Sequence, residues 1–284
     1  MYCHFTSDLH GKKKRYERLF QIIEKERPDA VFLGGDLLPH AMRTDIDLKE
    51  FISENIFDPM KKVRKIGNNK PDFFVILGND DPRMVEPLFL LADDQGILHY
   101  MHQKSLAFHD LFVSGYAFIP PTPFQLKDWE RYDVSRFVDV GAVSPEEGFR
   151  TVEIDLNEIR YQTIANDLEN LEKQTPVSKT IFLFHAPPYE TLLDRADLDG
   201  KIIDHAPLDV HIGSIAIKRF IKDKQPLLTL HGHVHETVRL TNAWQQKIGK
   251  TCCFGGAHDG PELPLVRFDT DDFSSATRNL IPID

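Results

Sequence analysis

Residues 72–81 read DFFVILGNDD. Phe73 to Ile76 are continuously apolar, the pattern of a strand buried on both faces. The run stops at Gly78 and presents Asn79, Asp80 and Asp81. Gly, Asn and Asp all favour turns, so the stretch alone reads as a strand followed by a turn. Whether it is more than a turn depends on how the other strands of the chain end.

They end the same way. CHFT is followed by Ser7-Asp8-Leu9-His10, VFLG by Gly35-Asp36 and IFLF by His185. LLTL is followed by His231-Gly232-His233-Val234-His235. Five apolar runs stop and at once offer Asp, Asn or His. In an extended segment residues two apart share a side, which lets Asp8 and His10 grip one ion, and likewise two of the HGHVH histidines. Carboxylate and imidazole together suit borderline divalent cations. Glycines at 34, 35, 78 and 232 allow sharp turns beside these groups.

The segments between the strands are helical. In KKKRYERLFQIIEKER, Tyr16, Leu19, Phe20 and Ile23 recur at helical spacing and Pro28 stops the pattern. DLKEFISENIFDPMKKVRK reads as a helix broken at Pro59. This alternation implies βαβ units and a mostly parallel sheet, with functional groups gathered at the carboxyl ends along one edge. LFVSGYAF reads as a further strand. IPPTPFQLKDWERYD after it lacks periodicity, so a loop excursion is expected at about 115–150. One helix is expected within 144–176, and another in SIAIKRFIKDKQ with Ser214 as N-cap and Pro226 beyond its end. KTCCFGG and LPLVRFDT read as β-rich. Without repeats or linkers, a single domain over 1–284 is the expectation.

Composition narrows the function. The 284 residues are 41% hydrophobic and 27% charged, as in ordinary globular proteins. A formal net charge of −10 argues against a dedicated nucleic-acid coat or an anionic-membrane binder. It leaves an anionic substrate open, because bound metal ions reverse the local sign. Cys3, Cys252 and Cys253 cannot all pair and two are neighbours, so a disulfide framework is not expected. With no apolar signal core in MYCHFTSDLHG and no apolar run of about 18–20 residues, a cytoplasmic location is expected.

The ordered series DLH, GGD, GND, a lone His after a strand, and GHVH resembles the calcineurin-like metallophosphoesterases, across residues 8–235. HIGSIAIKRF (211–220) followed by QPLLTLHGHVHE resembles the small prokaryotic stand-alone members. The resemblance implies an α/β fold of two facing β-sheets flanked by helices, a four-layer αββα sandwich. It implies two divalent metal ions, Mn, Fe or Zn. Asp8, His10 and His235 would bind the first, Asn79, His185 and His233 the second, and Asp36 would bridge them. The implied reaction is attack of a metal-activated hydroxide on a small or nucleotide-like phosphate ester. A nuclease of the same superfamily is an alternative that lacks the basic surface DNA requires. A non-catalytic metal-binding scaffold is another. Nothing in the sequence bears on oligomeric state.

The chain departs from the family at Asp80. Many members carry His there, where it is thought to assist the leaving group. A carboxylate is a poor proton donor near neutrality. It would also repel a dianionic monoester more than a monoanionic diester, so a phosphodiesterase preference is expected, with Asp80 as the candidate catalytic residue. Asp81 is read as bracing the loop and His231 as supporting the GHVH pair. His211 either faces the site or lies on the surface. Trp129 and Phe124 either cover substrate or pack locally. The run at 12–15 is read as a solvated helix face from which one cation could reach a phosphate.

Overall fold

Apolar runs of about five residues build the central strands, and the computed structural model describes residues 1–40, 46–66 and 70–283. In chain order the strands are β1 (Tyr2–Thr6), β2 (Ala30–Gly34), β3 (Asp72–Ile76), β4 (His99–Tyr100), β5 (Lys104–Phe108), β6 (Leu111–Tyr116) and β7 (Thr180–Phe184). They continue with β8 (Ile202–Ile203), β9 (Ala206–Pro207), β10 (Leu228–His231), β11 (Gln245–Ile248), β12 (Thr251–Gly255), β13 (Leu263–Asp269) and β14 (Asp272–Ile281). The helices are α1 (Lys13–Glu26), α2 (Leu48–Ile52), α3 (Asp58–Lys65), α4 (Glu86–Asp94), α5 (Leu156–Tyr161), α6 (Ile164–Leu171), α7 (Ile215–Lys224) and α8 (Thr237–Thr241).

Two large sheets face each other, flanked by helices. The first has the order β14-β13-β1-β2-β3-β4 and the second β11-β12-β10-β7-β6-β5. Within the first, β1 to β4 run parallel, while β13 is antiparallel to β1 and β14 to β13. Within the second, β12, β10, β7 and β6 run parallel, with antiparallel β11 and β5 at the edges. Across the interface β2 packs on β7 and β3 on β6. Every residue of β2 and β7 is buried, which is why both read as unbroken apolar runs.

Three expectations are corrected. The five strand ends do not share one sheet edge: β1, β2 and β3 belong to the first sheet, β7 and β10 to the second. Alternation of strand and helix predicts parallel pairing but not the sheet a strand joins. The chain crosses between sheets in the short step from β4 to β5. The helix expected to break at Pro59 runs from Leu48 to Lys65, interrupted by a π-helical turn over Ser53–Phe57. Pro59 lies in the first turn of α3, where its missing N–H costs little. The helix expected within 144–176 is two short ones, α5 and α6, each started by its own cap, Asp155 and Thr163. Ser214 caps α7 as its sequence indicates, its hydroxyl accepting from Ile217 N at 3.0 Å.

The stretch between β6 and α5 holds isolated bridges, such as Ile119 with Glu130, and no longer element. It is nevertheless well anchored. Trp129 is fully buried and its indole N–H donates to the Asp81 carbonyl at 2.8 Å. Asp128 accepts from Arg83 N at 2.7 Å. Lys127 and Glu130 form a buried ion pair at 2.5 Å. Asp133 accepts from Ile215 N at 2.6 Å, tying the stretch to the start of α7. It thus spans from the loop after β3 to the second sheet's helices. No helix of the described residues is long and apolar enough to cross a membrane.

Candidate metal centre

The first donor groups come from a loop rather than a strand. β1 ends at Thr6, and Asp8 and His10 take φ of 57° and 48°. Asp8 N donates to Gly35 O at 2.9 Å and His10 N to Asp36 O at 2.8 Å, so this loop runs beside the one after β2. Asp36 and His233 are also left-handed, at 51° and 72°. Extended alternation therefore does not bring Asp8 and His10 together; left-handed turns do. Such a conformation costs a side-chain-bearing residue about 1–2 kcal/mol, and it persists where neighbours fix it. One such neighbour is Arg15. Its buried guanidinium donates from Nη1 to Asp8 O at 2.7 Å and from Nη2 to Gly260 O at 2.6 Å.

Close approach explains two of the glycines. A Cβ at Gly78 would lie 2.3 Å from Asp36 Oδ1. Gly35, at φ 92°, would place one 2.6 Å from His185 Nδ1. The GNDD loop then divides its work. Asp80 N donates to Asp36 Oδ1 at 2.8 Å. The buried Asp81 carboxylate accepts from Leu37 N at 3.1 Å, Leu38 N at 2.7 Å and Gly78 N at 2.9 Å, locking the loops after β2 and β3 together. Burial and the nearby Asp36 charge push its carboxyl up to about 7.

From these loops two donor groups converge. Ligand atoms of Asp8, His10, Asp36 and His235 lie within 4.8 Å of one another, as do those of Asp36, His185 and His233. Asp36 belongs to both. In the first group His10 Nε2 is 2.9 Å and Asp8 Oδ1 3.2 Å from His235 Nε2. In the second, His185 Nε2 is 3.0 Å from Asn79 Oδ1 and 3.3 Å from Asp36 Oδ2. His233 N donates to Asp8 Oδ1 at 3.0 Å.

The chemistry of this donor set fits divalent cations. His185 Nδ1 lies 2.8 Å from Gly34 O, so it is the donor nitrogen there. That leaves Nε2 facing two oxygen acceptors, an arrangement that requires a proton or a cation between them. The protonation behaviour agrees. Burial opposes charge on His185, but the Asp36 carboxylate outweighs it and lifts the ring to about 10. Burial likewise opposes charge on His10, and Asp80, Asp36 and Asp8 lift it to about 9. Burial lowers His233 to about 3, aided by the His185 charge. Without cations, protons on His185 and His10 offset the carboxylates, and bound cations can take over that positive charge.

The remaining candidates separate cleanly. His231 is buried with Nδ1 2.9 Å from Ala186 O and Nε2 2.8 Å from Thr229 Oγ1, so it supports the loop. His211 lies outside both groups, with Nδ1 2.9 Å from Asp194 Oδ1. His40, His99, His102, His109, His205 and His258 are outside them as well. Trp129 packs locally, while Phe124 is exposed. Of the basic run, Lys12 to Lys14 are solvated and Arg15 is not. The sequence did carry that signal, since Arg15 shares the buried face of α1 with Leu19 and Ile22.

A two-sheet sandwich carrying paired Asp and His clusters at its strand ends defines the metallophosphoesterase class of fold and site. The family model for calcineurin-like phosphoesterases matches residues 1–237, and the chain belongs to that family. The family depends on two metal ions, for which the Asp and His groups above are the candidate holders. An 84-residue segment is 38% identical to an uncharacterized protein of Methanocaldococcus jannaschii, covering 28% of this chain and 34% of that one. The match thus spans about a third of that relative's length. The crystal structure of TT1561 of Thermus thermophilus resembles this chain with a TM-score of 0.58, 16% identity and 99% of each chain covered. That of a dimetal phosphatase from Danio rerio does so with a TM-score of 0.56 and 11% identity, over 94% of this chain and 91% of that one.

Proposed function

We propose that the protein hydrolyses phosphate esters, preferring phosphodiesters of small or nucleotide-like alcohols, with the help of two divalent cations. Asp8, His10 and His235 would hold one ion, Asn79, His185 and His233 the other, and Asp36 both. The observation that carries this reading is Asp36, whose carboxylate is common to the two donor groups. When bound, two such cations supply Lewis acidity and make water acidic enough to attack near neutral pH.

The chain's own residues do the rest. His185, with Nδ1 committed to Gly34 O, presents Nε2 in a fixed tautomer. Asp81 holds the loops of Asp36 and Asn79 in register. Asp80 Oδ2 lies 3.4 Å from His10 Nδ1, which turns His10 Nε2 toward His235. Asp80 is therefore a positioning residue for His10, and a partly exposed negative charge at the rim. That charge disfavours a dianionic monoester more than a monoanionic diester.

The test is turnover of an aryl phosphodiester against the matching monoester with Mn²⁺ added, alongside metal content. Near two metals per chain and faster diester turnover are expected. Faster monoester turnover would remove the substrate preference. Full metal with no turnover on either ester would remove the enzymatic reading.

A further inference from the structure

Asp194 is a fully buried carboxylate that belongs to neither donor group. It accepts from Glu190 N at 2.9 Å, Thr191 N at 2.8 Å and Gly213 N at 3.2 Å. Thr191 Oγ1 adds a contact at 3.3 Å, and His211 Nδ1 lies at 2.9 Å. Three backbone N–H donors satisfy Asp194 without the histidine, the Thr191 hydroxyl being given to Pro188 O at 2.7 Å, so the histidine is not needed to bury the carboxyl group. The arrangement instead fixes the histidine. His211 N donates to Asp209 Oδ1 at 2.8 Å, and the Tyr189 ring meets the imidazole edge-on with centroids 6.0 Å apart. With Nδ1 committed to Asp194, Nε2 is the free nitrogen, and it has no partner among the described residues. The side chain is 25% exposed.

The dyad sits between two of the strand ends that carry candidate ligands. Ser214 N donates to Pro187 O at 2.8 Å and Tyr189 N to Ser214 O at 3.0 Å, just beyond His185. Arg195, which bridges to His211, donates its N–H to Thr237 Oγ1 at 3.1 Å. Asp197 N donates to Glu236 Oε1 at 3.0 Å, the residue after His235. The loop bearing Asp194 and His211 is thus stitched to the chain after β7 on one side and after β10 on the other.

An imidazole oriented by a buried carboxylate and open at its other nitrogen is suited to proton transfer. We propose that His211, oriented by Asp194, touches the leaving-group oxygen of the phosphate ester and protonates it. This rests on the phosphoesterase reading above. As the bond from phosphorus to the leaving oxygen breaks, its electron pair stays on that oxygen, which takes the proton from Nε2. Water supplies the new bond to phosphorus and gives up a proton to solvent, and His211 regains one from solvent. The alcohol and the phosphate product result. Asp194 is the positioning residue.

The experiment compares wild type with His211→Gln, both metal-supplemented, on aryl phosphodiesters whose leaving phenol runs from p-nitrophenol to unsubstituted phenol. The basic phenol needs the proton, so the variant should lose about 100-fold on the phenyl ester and only about threefold on the nitrophenyl ester. An equal loss on both overturns the proposal while leaving the phosphoesterase reading standing. Wild type inactive on the whole series overturns both. A second readout does not depend on turnover. In the zinc-loaded protein labelled with ¹⁵N-histidine, inorganic phosphate should shift the Nε2 resonance of His211, and no shift overturns the contact. Asp194→Asn should leave that resonance present but change the tautomer it reports; an unchanged tautomer overturns the positioning role.

Discussion

Asp36 and Asp81 are both buried carboxylates on neighbouring loops, and their partners separate their roles. Asp36 faces His185 at 3.3 Å and shares two donor groups. Asp36→Asn should remove at least about 100-fold of turnover and most of the bound metal, since it weakens both sites at once. Near-wild-type activity with full metal in that variant would overturn the ligand assignment. Asp81 faces three backbone N–H groups and no histidine. Asp81→Ala strands those donors in the interior, at a cost of about 3 kcal/mol of folding stability. Urea unfolding of metal-free protein measures it, and an unchanged midpoint would show that water replaces the carboxylate. The residue types and their order were legible in the sequence. The left-handed φ of Asp8, His10, Asp36 and His233 was not, because nothing local distinguishes an Asp in a strand extension from one in a tight turn.

At the scale of elements, α1 is closed onto the first sheet by its last residue. Glu26 accepts from Arg267 Nε at 2.7 Å and Nη2 at 2.9 Å, and from Tyr2 Oη at 2.8 Å. His4 Nε2 lies 3.0 Å away. The Arg267 hydrogen bonds, against some burial, draw the Glu26 carboxyl down to about 2 from its ordinary 4.5. Burial lowers His4 to about 4, so at neutral pH it is a neutral donor. A carboxyl depressed on folding stabilises above its unfolded pKa and loses that contribution as pH falls through the folded one. Glu26→Gln should therefore cost about 1 kcal/mol at pH 7, discounted for its partial exposure. The difference from wild type should shrink from about pH 4.5 to nothing near pH 2. A gap that stays constant over that range would locate the effect in packing instead. Capping at Ser214 was written locally and reads directly from sequence, whereas the division of the expected helix by caps at Asp155 and Thr163, and the π-turn before Pro59, were not read there. A proline marks a boundary, but the turn before it depends on what α1 and the sheet leave room for.

For the whole molecule, the site is also a fastener between sheets. Asp8, His10, Asp36 and Asn79 follow strands of the first sheet, and His185, His233 and His235 follow strands of the second. Cations held by both should stabilise the folded state by mass action. Loading with Zn²⁺ or Mn²⁺ should raise the unfolding midpoint by several degrees, and a chelator should reverse it. Thermal unfolding followed by circular dichroism measures this, and a midpoint indifferent to metal would contradict a site shared between the sheets. The C-terminal β13 and β14 extend the first sheet beside the N-terminal β1, a pairing across most of the chain that no local pattern announces.

The sequence by itself determined the chemistry at the strand ends. Apolar runs mark buried strands, and the residue that follows each run is fixed by covalent order, so Asp8, Asp36, Asn79, His185 and the GHVH pair were identifiable before any fold. It also carried the Ser214 cap and the acidic balance, because these depend on near neighbours or on composition. Tertiary structure alone decided that the five ends divide between two sheets, that Asp36 lies in both donor groups, that the buried Arg15 reaches the Asp8 carbonyl, and that Asp194 meets His211. Each of these depends on partners brought together by packing. His185 meets Gly34 across 151 residues and His235 meets Asp8 across 227, separations over which only the packing of the two sheets sets which side chains touch.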